Sequence, residues 1–143
     1  MIRQTPELSR AFDHLVSVKG IAATSATQIL AELSVLPSDM TSRQWVAHAG
    51  LDPRQYESGS SIHRPPRVTK AGNKYLRSAL YMPALVAIRH EANVGAFYEK
   101  LLARGKKKLQ AIVAVMRKLL HAIHGMLHHD RDFDGEKFFA MNA

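Results

Sequence analysis

Three alcohols, Ser58, Ser60 and Ser61, surround Gly59 at the head of a stretch without Asp or Glu that runs to His90 and carries Arg64, Arg67, Lys70, Lys74, Arg77 and Arg89. A serine hydroxyl beside several cations can attack a phosphodiester, because those cations stabilise the charge that develops on the non-bridging oxygens. Arginine clamps such oxygens better than lysine, since its planar fork offers paired donors. Lys70, Lys74 and Arg77 are four and three residues apart, so on a helix they share one face. Thr69 can cap that helix, which sets its unpaired N–H groups and positive dipole end beside the serines. These residue types converge on phosphate. The competing reading is a phosphate-binding or simply flexible serine-glycine loop with no nucleophile in it.

Other constellations are weaker. His121, His124 and His128 share a helical stripe that could hold a divalent metal, but no carboxylate lies nearby to orient the imidazoles, and surface or interface histidines are the better reading. The acids Glu7, Asp13, Glu32, Asp39, Asp52, Glu57, Glu91 and Glu99 are scattered, with the rest in the tail. Two-metal chemistry needs clustered carboxylates, so neither metal nor cofactor is assigned to this chain. A net charge of +8 and a pI near 10.1 point to a polyanionic partner, most commonly nucleic acid. The sequence has no cysteine, which excludes disulfides, a thiol nucleophile and Cys-ligated zinc and fits a reducing cytoplasmic setting. No apolar run approaches the roughly 20 residues of a membrane span, so no membrane partner is expected.

The elements that must position these residues are helices. Thr5 and Pro6 read as cap and first position of a helix to about Ser17, with Leu8, Phe12, Leu15 and Val16 at helical spacing. A short turn leads to the stripe Ala26, Ile29, Leu30, Leu33. Thr41 to Gln44 has capping-box spacing, with Trp45, Val46 and Ala49 inward and Gly50 as the stop. Residues 51–67 hold three prolines and no periodicity, a long basic loop of functional length. The next helix starts at Thr69, has Tyr75, Leu76, Ala79, Leu80, Leu85 and Ile88 as its core face, and should kink at Pro83. Another spans about residues 94–103, with Phe97, Leu101 and Leu102 inward and Gly105 as terminator. Lys106, Lys107 and Lys108 open the last long helix, whose stripe is Leu109, Ile112, Val113, Met116, Leu120, Ile123, Leu127. Lys100 to His129 is again free of acids, so a second basic patch, or an ordinary solvated face, surrounds that helix. The expectation is an all-α fold of about six helices in one compact domain over residues 1–130, followed by a tail at 131–143 that docks on a partner or frays.

Two resemblances add to this. Leu15, Gly20, Ile21 and Ala26 are similar to the helix-hairpin-helix of non-sequence-specific DNA-binding proteins, whose tight turn meets phosphate through backbone N–H groups. Lys19 and Gly20 would then touch DNA. Ala22 stands where a second glycine is usual, and a hairpin that serves only packing is the alternative. More extensively, Leu15-Val16-Ser17-Val18-Lys19-Gly20-Ile21, Ala47-His48-Ala49-Gly50-Leu51-Asp52-Pro53-Arg54, Ser58-Gly59-Ser60 and Val68-Thr69-Lys70-Ala71-Gly72-Asn73-Lys74-Tyr75-Leu76-Arg77 occur in this order. That series resembles the C-terminal domain of the bacterial insertion-sequence transposase family that includes Piv-type DNA invertases and bridge-RNA-guided recombinases. The resemblance implies a serine nucleophile, at Ser58 by motif position with Ser60 and Ser61 behind it, that becomes joined to DNA during strand exchange. It also implies Mg²⁺ bound by an acidic N-terminal domain that this sequence lacks, a composite site in a homo-oligomer, and in some members a guide RNA. The chain is then expected to be a fragment or a truncated product, inactive alone. Arg64, Arg67, Lys70, Lys74 and Arg77 are read from their charge as holding the nucleic-acid backbone, with Lys106, Lys107 and Lys108 as a second contact. A non-catalytic helix-hairpin-helix nucleic-acid-binding module is the rival function.

Overall fold

A computed structural model of the 143-residue chain describes residues 5–52 and 73–141. Among them are seven helices and no strand: α1 Pro6–Val16, α2 Ala23–Leu33, α3 Ser42–His48, α4 Asn73–His90, α5 Ala92–Ala103, α6 Lys108–His128 and α7 Gly135–Phe138. The all-α expectation holds, and the additional helix is the short α7 in the segment set apart as a tail.

Local chemistry sets the helix ends. Thr5 Oγ1 accepts from Leu8 N at 3.1 Å and Pro6 takes the first position of α1, where a missing N–H costs nothing. Thr41 and Gln44 form the reciprocal capping box of α3, with side-chain to backbone bonds of 3.2 and 2.8 Å. At the other end of α3, Gly50 has φ +74°, and Leu51 N reaches Val46 O while Gly50 N reaches Ala47 O. This is the Schellman stop that a glycine in the left-handed region permits. The same 6→1 bond runs from Lys106 N to Leu101 O after α5 and from Arg131 N to Met126 O after α6. After α6 the left-handed residue is Asp130, at φ 54°.

α6 is the central element and packs against α1, α3, α4, α5 and α7. Because it has neighbours on several sides, its buried set is broader than one stripe: Ala111, Val113, Val115, Met116, Leu119, Leu120, Ile123 and Met126. Leu109 was expected inside and is 62% exposed, since the first turn of α6 projects beyond the core. Tyr75 is likewise exposed, at 61%, whereas Leu76, Leu80, Ala84 and Ala87 carry the inward face of α4. α4 runs on through Pro83, whose ring is fully buried. The side chains of Leu15, Ile29, Leu51, Leu76, Leu80, Leu119, Leu120 and Ile123 meet in one core. Burying each of these contributes about 2 kcal/mol.

The aromatic segment after Asp130 docks within the chain. Phe138 is buried, with its ring 5.8 Å from Phe97 and 6.0 Å from Phe133. Asn93 Nδ2 donates to Phe139 O at 2.8 Å, and Phe133 N donates to Ser17 Oγ at 2.9 Å.

Candidate nucleic-acid interface

Ser58, Ser60, Ser61, Arg64, Arg67 and Lys70, together with the Thr69 cap, lie outside the described residues. The structure does show what holds the two flanks of their segment. Arg77, on the second turn of α4, donates from Nη1 to Ala49 O at 3.1 Å. Arg117, from the middle of α6, donates from Nε to Leu51 O at 2.9 Å. Both carbonyls belong to the backbone that leaves α3, and Leu51 itself is wholly buried. One arginine therefore ties the start of the segment to the helix that follows it, and a second ties it to the central helix. A guanidinium has five donors, so one spent on a carbonyl leaves Arg77 able to bind elsewhere. Lys74, one turn back, is exposed, and its Nζ lies 5.6 Å from the centroid of the Tyr75 ring. An exposed tyrosine under an ammonium offers both a stacking face and a charge.

The turn between α1 and α2 packs against α4. Val18 and Ile21 are buried, and Lys19 N donates to Glu91 Oε2 at 2.8 Å. Gly20 has φ +122°, and a Cβ there would sit 2.8 Å from Pro83 O and 2.9 Å from Ala87 N. The turn lies flush against the backbone of α4, and a carboxylate of the same chain already occupies its Lys19 amide. The Lys19 side chain remains exposed. Nothing in the sequence pattern singled out Glu91 for this contact.

Lys106, Lys107 and Lys108 are all exposed where α5 gives way to α6, and Lys107 N donates to Gln110 Oε1 at 3.1 Å. With exposed Leu109 they form a cationic promontory.

The histidine stripe of α6 fastens α3. His121 Nδ1 lies 2.8 Å from Ser42 Oγ, His124 Nε2 donates to Met40 O at 2.9 Å, and His128 Nδ1 donates to His124 O at 2.9 Å. His124 also meets the edge of the buried Trp45 ring, at 4.6 Å and 76°. Burial lowers the pKa of His121, assisted by the charges of His124, Lys118, Arg117 and Arg43. No group of three or more side chains suited to a metal occurs among the described residues. The described residues do not fit a Mg²⁺ site.

The described residues are thus all helical in a chain of net charge +8, with arginines of α4 and α6 gripping the backbone that leaves α3. Residues 13–99 match the model of the Transposase IS116/IS110/IS902 family, and the chain belongs to that family. It is 34% identical over 135 residues to the pilin gene-inverting protein of Moraxella bovis, covering 94% of this chain and 42% of that protein. The counterpart from Moraxella lacunata gives the same identity and coverage. An uncharacterized 43.6 kDa protein of insertion element IS110 from Streptomyces coelicolor is 27% identical over 79% of this chain and 28% of its own length. The chain thus spans less than half the length of these relatives.

Proposed function

We propose that this chain is the DNA-binding, serine-bearing half of a transposase or recombinase that acts in insertion-sequence transposition by phosphodiester strand exchange. The observation that carries the proposal is the family match over residues 13–99, which brackets the acid-free stretch with Ser58 at its head. In this reading Ser58 Oγ attacks phosphorus, a P–O bond forms to serine, and the bond to the leaving sugar oxygen breaks, with that oxygen taking up a proton. Arg64, Arg67, Lys70 and Lys74 spread the developing negative charge, and Arg77 both holds the segment and faces the same helix side. Ser60 and Ser61 are the reserve alcohols. In this reading the complementary acidic groups come from elsewhere in the assembly, in keeping with the scattered acids of this sequence. Partners in this reading are DNA, a second copy of the full-length protein and, in guide-dependent members, an RNA. The setting is cytoplasmic, consistent with the absence of any helix long and apolar enough to cross a membrane among the described residues.

Ser58→Ala in a chain that carries the acidic domain tests the assignment. Recombination and covalent protein–DNA adducts should disappear while DNA affinity changes less than about twofold, as expected for a group acting only on the reacting phosphate. Recombination at the unaltered rate would remove Ser58 from the chemistry and leave a non-catalytic binding module.

A further inference from the structure

The segment after α6 sorts its charges. Asp130 and Asp132 both turn toward α1, where each accepts a 2.8 Å hydrogen bond from a different nitrogen of His14. Asp134 Oδ1 accepts from Glu136 N at 3.0 Å as the cap of α7. The cations between and beyond them, Arg131 and Lys137, instead line a cleft of about 200 Å³ against α6, whose wall there carries Lys118 and His121. Lys118 is half-buried, with its Nζ 5.1 Å from the Phe97 ring centroid and 5.3 Å from that of Phe138. No carboxylate lies within ion-pair distance of it among the described residues, and burial lowers its pKa. A half-buried ammonium set against two aromatic faces, with no carboxylate paired to it, favours an anion beside it.

We infer that this cleft binds a phosphate group of a nucleotide, held by Lys118, Arg131 and Lys137, with the attached sugar against Phe133. The fit is one of charge and size. Three cations against one already engaged carboxylate give a positive cavity, and its volume suits a phosphate with its sugar rather than a drug-sized ligand, whose sites run to roughly 300–1,000 Å³. An arginine fork and two ammonium groups arriving from two elements match the tetrahedral oxygens better than a planar carboxylate. The cleft is built from α6 and the segment after it, without any residue of the serine stretch, and the inference does not depend on strand exchange.

The test is a titration of the isotope-labelled full chain with inorganic phosphate at constant ionic strength, followed by NMR at the side chains of Lys118, His121 and Arg131. The expected result is one saturable curve shared by all three and not reproduced by chloride. Arg131→Gln with Lys137→Gln, both at exposed positions, should weaken binding at least about tenfold. Lys118→Met, which keeps the stem against the rings, should do the same. A dithymidine diester and thymidine monophosphate then distinguish sources: displacement by the diester assigns a nucleic-acid backbone, and displacement by the monophosphate alone assigns a terminal phosphate or free nucleotide. Non-saturating shifts, unchanged affinity in the double variant, or displacement by neither nucleotide would overturn the site.

Discussion

His14 shows how much one side chain joins. Both ring nitrogens donate at 2.8 Å to carboxylates of the segment after α6, and Arg10 Nε adds a contact of 3.4 Å to Asp130. Two donors require the imidazolium form. Burial alone would lower the His14 pKa, but the hydrogen bonds to Asp132 and Asp130 and their charges outweigh it, and the net shift is upward from 6.5. A base held above its unfolded pKa stabilises the fold fully below that unfolded value, and the contribution is lost as pH rises through the folded one. His14→Asn should therefore destabilise the chain by about 1 kcal/mol near pH 5.5 and by much less near pH 9, the figure being moderated because both carboxylates face water. Urea midpoints measured at the two pH values decide this; an equal loss at both would mean that the imidazolium is not what holds the segment. His121 acts in the opposite sense. Its pKa is lowered chiefly by burial, so its contribution is complete above 6.5 and fades as pH falls.

At the scale of elements, the turn after α1 is where sequence and structure are most instructive to compare. Gly20 is required there twice over: its φ of +122° disfavours any side chain, and the space a Cβ needs is filled by the α4 backbone at Pro83 and Ala87. Gly20→Ala should cost more than about 2 kcal/mol, because backbone rather than a flexible side chain would have to move. Thermal denaturation checks this, with Gly105→Ala as control: Gly105 also has positive φ but no atom within 4 Å of its Cβ position. That substitution should cost only about 1 kcal/mol. Equal losses would show that packing against α4 contributes nothing. The capping of α1 and α3 and the stops at Gly50 and Gly105 were legible in the sequence, because each depends on residues within five positions of one another. The Lys19–Glu91, Arg77–Ala49 and His14–Asp132 contacts were not, since they join residues 72, 28 and 118 positions apart. Tyr75 and Leu109 fit an apolar period yet are exposed, for a period identifies a face without saying how far along a helix the core extends. The serine stretch lies outside the described residues, and the chemistry proposed for it rests on residue type and the order of its motifs.

Over the whole molecule, charge is distributed with a consistent logic. The acids with resolved contacts are largely consumed inside the chain: Glu91 on the Lys19 amide, Asp130 and Asp132 on His14, Asp134 on α7. Many lysines stay outside, so the excess of +8 faces water as an external field rather than being neutralised in place. Lys106, Lys107 and Lys108 are its most concentrated part. They neither pack in the core nor form ion pairs among the described residues, so replacing all three with Gln should leave the melting temperature nearly unchanged. If they lie along a DNA backbone, each contact releases condensed counterions, and the slope of log K against log salt should flatten by about 0.9 for every lysine that touches phosphate. Fluorescence anisotropy with a labelled duplex over roughly 50–200 mM salt measures that slope. A triple variant whose affinity falls in proportion at every salt concentration, with the slope intact, would place these lysines away from the backbone and return the DNA-binding role to Lys74, Arg77 and the residues around Ser58.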